Sequence, residues 1–136
     1  MIQRIQTLWL LLASICAFAS IKLPFYYGSL EVPGPTVTIT PYDHFILLVL
    51  VIATALVALI NIFIFSNRSL QIKISIAGLV LGLMNLTHYY LFMRGFKTGG
   101  LSLYSVLSFL VPLFFILSIR SIYKDQKLLK SLDRLR

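Results

Sequence analysis

The sequence predicts an all-α integral membrane protein: a four-helix transmembrane bundle with both termini cytoplasmic, a short periplasmic hairpin-like loop and an amphipathic C-terminal helix. Three observations predict it. The 136 residues are 59% hydrophobic and 12% charged, against roughly 45–50% apolar and about 25% charged for a soluble domain, and mean hydropathy is +0.93. Four stretches, at 5–21, 45–65, 74–93 and 103–119, reach the ~17–25 mostly apolar residues a helix needs to cross a bilayer. None alternates apolar and polar residues as a barrel strand does. Third, cations segregate to one set of loops. With the N-terminus inside, the inner segments hold nine Lys and Arg and the outer ones three, Lys22, Arg94 and Lys97, which the positive-inside rule reads as both ends cytoplasmic. The composition excludes an ordinary soluble enzyme and a disordered chain. The net charge of +8 reports orientation rather than nucleic-acid binding.

The first span carries no charge between Ile5 and Ile21. Arg4 ahead of an apolar run and Ala17-Phe18-Ala19 also suit a cleaved signal peptide, but retention as an anchor is the expectation. A lipoprotein reading of Cys16 fails on the bulky Ile15 before it. As the single cysteine, Cys16 neither closes an internal disulfide nor supplies a zinc cluster.

The outer loop, 22–44, contains Pro33-Gly34-Pro35, followed by Val37 and Ile39 alternating with Thr36, Thr38 and Thr40. That pattern predicts a strand after a turn, with Phe25 to Leu30 as the other arm of a hairpin covering the outer mouth. Thr40-Pro41-Tyr42-Asp43 reads as the start of the second helix, with Thr40 as cap and Pro41 at the first position, so that His44 falls in the first turn. The second span, 45–65, is nearly pure Leu, Ile, Val, Ala and Phe, with Thr54, Ala58 and Asn61 forming a small-polar stripe.

Ser66-Asn67-Arg68-Ser69 is short enough to make the second and third helices antiparallel neighbours. The third span holds Gly78-Leu79-Val80-Leu81-Gly82, two glycines four apart that let another helix approach closely. Ser75, Asn85 and Tyr89 share that stripe, a packing face within the chain or toward a partner. Gly95, Gly99 and Gly100 break the chain before the fourth helix, where Ser102 is placed as a cap. Pro112 removes a backbone hydrogen bond inside the fourth span and predicts a kink.

From Arg120 onward, residues 120–136 form a cationic amphipathic tail. Ile122, Leu128, Leu129, Leu132 and Leu135 share one arc, with Lys124, Lys127, Lys130 and Arg134 opposite and Asp125 the exception inside the apolar arc. Such a helix suits the inner leaflet or a partner surface. Arg4, Arg68 and Lys73 join it as membrane-surface or partner-binding cations.

No Asp, Glu, Lys or Arg falls inside the four predicted spans, which argues against an ion-coupled transporter. His44 and His88 suggest haem ligation from two helices. They differ by roughly 8 Å in depth at about 1.5 Å per residue, which is awkward for one iron. A quinone pocket of His88 with Tyr89 and Tyr90 is a further reading, and Asn61, Asn85, Thr87 and His88 suit the polar lining of an oligomeric channel or uncoupled small-molecule carrier. There is no nucleophile with its base, no paired carboxylate, no metal cluster and no phosphate loop, so no catalytic residue and no cofactor is expected.

Three stretches carry a resemblance: Met1-Ile2-Gln3-Arg4-Ile5-Gln6-Thr7, Asn67-Arg68-Ser69-Leu70-Gln71-Ile72-Lys73, and Lys124-Asp125-Gln126-Lys127-Leu128 through Ser131-Leu132-Asp133-Arg134-Leu135-Arg136. Together they resemble, over the whole chain, a family of small four-span inner-membrane proteins of the Bacteroidetes lineage known as a domain of unknown function. The resemblance implies a bacterial inner-membrane protein with both ends inside and brings no activity or cofactor. The expected function is a non-catalytic accessory subunit of a larger inner-membrane complex, of respiratory or secretion type. Its expected partners are the lipid bilayer and other membrane subunits, with no nucleic acid.

Overall fold

The computed structural model describes residues 3–133, and the side chains of residues 5–131. Four helices dominate: α1 (Gln3–Ser20), α2 (Phe45–Phe63), α3 (Arg68–Met93) and α4 (Ser105–Asp133). Each packs on its neighbours in sequence order, and α4 closes the ring against α1. Successive helices run antiparallel, so one end of the bundle gathers Arg68, Lys73, Arg120, Lys124 and Lys127 (the basic end). The other end carries the strands (the sheet end).

Three helices, α2, α3 and α4, are long and apolar enough to cross a membrane. The 18-residue α1 contributes a shorter apolar stretch, Ile5–Ser20, packed alongside α2 and α4. The helix sides facing away from the bundle are apolar: Leu8, Ile15, Val49, Ile60, Val80, Val106 and Ile116 are exposed, the composition that suits lipid as solvent.

The bundle core sets small residues of α1 and α2 against larger ones of α1 and α4. Ala13 and Ala17 of α1 meet Val51, Ala55 and Ala58 of α2, and Leu10, Val111 and Phe115 fill the remaining space. Gly78 and Gly82 face α4. A Cβ at Gly78 would collide with the Phe115 ring, and one at Gly82 would lie 3.7 Å from Pro112 and Val111. The glycine face therefore serves the α3–α4 seam within this chain, the close-approach role expected of two glycines four apart.

Two helix boundaries differ from the sequence reading. α3 begins at Arg68 rather than near Ile74, because Asn67 caps it: the Leu70 N–H donates to Asn67 Oδ1 at 3.2 Å, and the charged first turn is helical all the same. α4 is one helix of 29 residues from Ser105 to Asp133, with Pro112 inside it. The tail is thus an extension of the fourth helix, not a separate surface helix. Hydropathy falls at Arg120, but backbone hydrogen bonding is indifferent to that change as long as the cations point outward.

The start of α2 is also corrected. Pro41–Asp43 forms a separate 3-10 turn, and His44 is the extended N-cap of α2, not a residue of its first turn. The Thr40 hydroxyl donates to the Asp43 carboxylate instead of capping backbone. At α4, Ser102 sits just ahead of the helix, its Oγ 3.4 Å from the Tyr104 N–H.

The expected hairpin is present: β1 (Tyr26–Ser29) pairs antiparallel with β2 (Val37–Ile39), Tyr26 opposite Ile39. The linker expected to be a glycine-rich break supplies a third strand, β3 (Thr98–Leu101), antiparallel to β1 with Gly28 opposite Gly99. The sheet order is β2-β1-β3. A Cβ on either facing glycine would strike the other strand's backbone, Gly28 against Thr98 O and Gly99 against Tyr27 O. The two glycines are what permit this pairing. Phe25, Ile39, Leu47 and Tyr89 form a second cluster that fastens the sheet to the bundle, with Phe25 stacked on Tyr89 at 3.8 Å between ring centroids.

Candidate functional site

Helices that hydrogen-bond internally have no need of polar side chains in the core, so buried polar residues mark where the bundle does something besides pack. Most of those inside the bundle fall into two layers.

Near the sheet end, Ala17, Ser20, Thr54, Gly82, Asn85 and Ser108 line a small cavity of about 10 Å³, close to the ~10–15 Å³ that one water needs. Most of its hydroxyls turn back onto their own helix. Ser20 Oγ donates to Ala17 O at 2.8 Å and Thr54 Oγ1 to Leu50 O at 2.6 Å. Asn85 Oδ1 is buried without a hydrogen-bond partner among the described residues, and the buried Tyr89 hydroxyl lies beside Ser108.

Toward the basic end, each helix contributes to a second layer: Gln6 from α1, Asn61 from α2, Gln71 and Ser75 from α3, and Ser118 and Asp125 from α4, all buried. Asn61 Nδ2 donates to Ser75 Oγ at 2.6 Å, and Gln71 Nε2 donates to the Asn61 carbonyl at 3.2 Å. These bonds tie α2 to α3. Gln6 Oε1, Asn61 Oδ1, Gln71 Oε1, Ser118 Oγ and both Asp125 carboxylate oxygens have no partner among the described residues.

Asp125 corrects the expectation that the bundle interior holds no ionisable residue. It is only 4% exposed, and it belongs to a helix that qualifies as a membrane span, so the bundle does hold an ionisable residue in its interior. The sequence carried the signal. Ser108, Val111, Phe115, Ser118, Ile122 and Asp125 are the buried stripe of α4, at spacings of three and four throughout. Ending the span at Ile119 hid the last two members. Gln6, Gln71 and Ser118 were missed because single polar residues at helical spacing look like tolerated interruptions.

Of the residues suggested for haem or quinone, Tyr89 is set apart from His88. His44 is half-buried with its ring 4.4 Å from Phe92. His88 is half-buried and its Nδ1 lies 3.0 Å from the Met84 carbonyl of its own helix. Tyr89 points into the core against Phe25 while Tyr90 is exposed, so His88 and the tyrosines occupy different faces of α3. The suggested channel lining separates likewise. Asn61 and Asn85 are buried, in different layers, whereas Thr87 is exposed and donates to Leu83 O at 2.9 Å.

Of the surface cations, Lys73, Lys124, Lys127 and Lys130 are exposed and Arg68 is half-buried. Leu128 and Leu129 are exposed, and Ile122 alone of the tail's described apolar arc is buried. The side chains of Arg4, Leu132, Arg134 and Leu135 lie outside the described residues. Among the packing residues, Ser75, Gly78, Gly82, Asn85 and Pro112 are all buried.

A family model described as a domain of unknown function, DUF4293, matches residues 2–135. No curated protein and no solved structure matches the chain.

Proposed function

The chain belongs to the DUF4293 family, and on that footing we propose that it is a non-catalytic accessory subunit of a larger assembly in a bacterial inner membrane. In this reading it crosses four times, with α1 as the first crossing and both ends cytoplasmic. The segregation of cations supports the orientation. The exposed tyrosines Tyr27, Tyr42, Tyr90 and Tyr104 at the sheet end suit the opposite headgroup region, where aromatic rings are enriched. The Bacteroidetes placement belongs to the same proposal.

The observation that carries the accessory role is that the bundle axis is filled and its sheet end capped. Leu10, Val51, Ala55 and Phe115 occupy the middle, and Phe25 closes onto Tyr89. Interaction is then left to the outer surface. Two features there suit a protein partner: the outer edges of β2 and β3, which have no neighbouring strand in the sheet and are open to strand addition, and the exposed Leu128 and Leu129 beside the tail lysines.

The test is extraction of native membranes in mild detergent, followed by native electrophoresis and mass spectrometry of the band. Reproducible co-migration with a defined set of larger membrane proteins is expected. Migration as a solitary 15.4 kDa species under every mild condition would overturn the reading.

A further inference from the structure

The unpaired oxygens of the basic-end layer are held together by the register of the helices. Phe115 seats against Gly78 and Pro112 against Gly82, fixing α3 antiparallel to α4. One turn from the Gly78 contact toward the basic end, Ser75 comes level with Ser118; one turn further, Gln71 is level with Ile122. Asp125 follows, facing the N-terminal turn of α3. On the other side Trp9 stacks on Phe114 at 5.9 Å, which puts Gln6 level with Ser118. Asn61 is tied to Ser75 and Gln71 directly.

Every unpaired polar atom in this layer is an oxygen, and each belongs to a side chain at least nine-tenths buried. One is a carboxylate. Among the described residues Asp125 has neither a hydrogen bond nor an ion pair. Lys124 and Lys127 on its own helix are exposed, as is Lys73 on α3, while Arg68 on α3 is half-buried. A buried carboxylate without a counter-charge is unfavourable. A set of oxygen acceptors with nothing to accept calls for an electropositive guest, and oxygen-only ligands select hard cations.

We propose that the basic end of the bundle binds one small monovalent cation, sodium or potassium, with Asp125 and Gln71 as direct ligands. Ser118 and Asp125 are two turns apart, about 10 Å at ~1.5 Å per residue, so one ion does not touch both. Gln6, Asn61 and Ser118 lie further along the layer and are not direct ligands. A single carboxylate balances one positive charge, and the surrounding lysines and arginines disfavour a second, which selects a monovalent ion over calcium or magnesium. This site is independent of the accessory role, since a subunit can hold an ion whether or not it has partners.

The experiment uses the purified full chain in lipid nanodiscs. Thermal unfolding, followed by the fluorescence of Trp9, is compared in sodium, potassium and choline chloride at equal ionic strength. The expected result is a saturable upward shift in Tm with sodium or potassium over choline, lost in Asp125→Asn and retained in Glu31→Gln, a change at an exposed loop acid. Equal Tm in the three salts, or a shift that Asp125→Asn keeps, overturns the proposal. Should Asp125→Asn fail to fold, equilibrium binding of radioactive sodium and rubidium to the unaltered protein decides. Saturable uptake of one ion per chain, displaced by the unlabelled salt, supports the site, and no saturable uptake of either removes it.

Discussion

The two ends of the bundle bury polar groups in opposite ways. At the sheet end they are mostly serines and threonines, and Ser20 and Thr54 donate to carbonyls of their own helices. A short hydroxyl can satisfy itself in this manner wherever the helix goes. At the basic end the groups are Gln6, Asn61, Gln71 and Asp125, whose longer or charged side chains find no such outlet and depend on a neighbouring helix or a guest. Most of the unpaired buried atoms among the described residues, those of Gln6, Asn61, Gln71, Ser118 and Asp125, lie at the basic end. The sheet end is closed mechanically, by Phe25 on Tyr89, and the basic end electrostatically, by whatever satisfies those oxygens. The ends therefore respond to different perturbations.

The largest expected effect comes from removing what both ends share. Phe115 lies at the midpoint, fully buried and seated on Gly78. Phe115→Ala leaves a cavity beside a glycine that cannot fill it, and a loss of about 3–5 kcal/mol is expected, measured as reduced Tm or midpoint of denaturation in nanodiscs. Both ends should loosen together in hydrogen exchange. Protection lost at one end alone would show that the halves are independent units and break the comparison as drawn.

A smaller effect separates the ends. Asn61→Ala removes the bond to Ser75 and leaves a buried hydroxyl unpaired, for an expected cost of about 1–3 kcal/mol. Thr54→Ala deletes a hydroxyl together with a bond confined to one helix, and about 0.5 kcal/mol or less is expected, since such back-bonding contributes little to helix stability. Equilibrium unfolding of the two variants side by side is the check. Equal costs would mean that self-satisfied and cross-helix polar groups are equivalent here.

The same contrast explains what was legible in the sequence. The apolar runs of α2 and α3, the antiparallel turn at Asn67 and the β1–β2 hairpin could be read from composition and turn chemistry, which act locally. β3 could not: Thr98-Gly99-Gly100-Leu101 has little intrinsic strand preference, and it becomes a strand because Gly99 lets β1 approach. That requirement is visible only once Gly28 is known to lie opposite. Likewise the basic-end layer draws on all four helices, and no window of sequence contains it. Asp125 was the legible exception. Its position in an apolar arc was apparent, but the fall in hydropathy at Arg120 concealed that α4 carries the arc inward rather than onto a surface.

The smallest expected effect tests where the bundle stops and the interaction surface begins. Leu128 and Leu129 are 43% and 46% exposed, three and four residues beyond the buried Asp125, and Leu128 shares its helical face. If burial ends at Asp125, replacing both leucines by serine removes little that the fold uses, and stability should change by no more than about 0.5 kcal/mol, as for surface positions generally. The same variant should lose co-migration with larger membrane proteins if the tail is a docking surface. The two readouts are independent because an exposed apolar side chain contributes to binding without contributing to the monomer. A marked drop in Tm would instead show that the tail leucines belong to the core and that the basic end extends a further turn. Unchanged Tm with unchanged co-migration would remove the tail from the interface and leave the free edges of β2 and β3 to carry it.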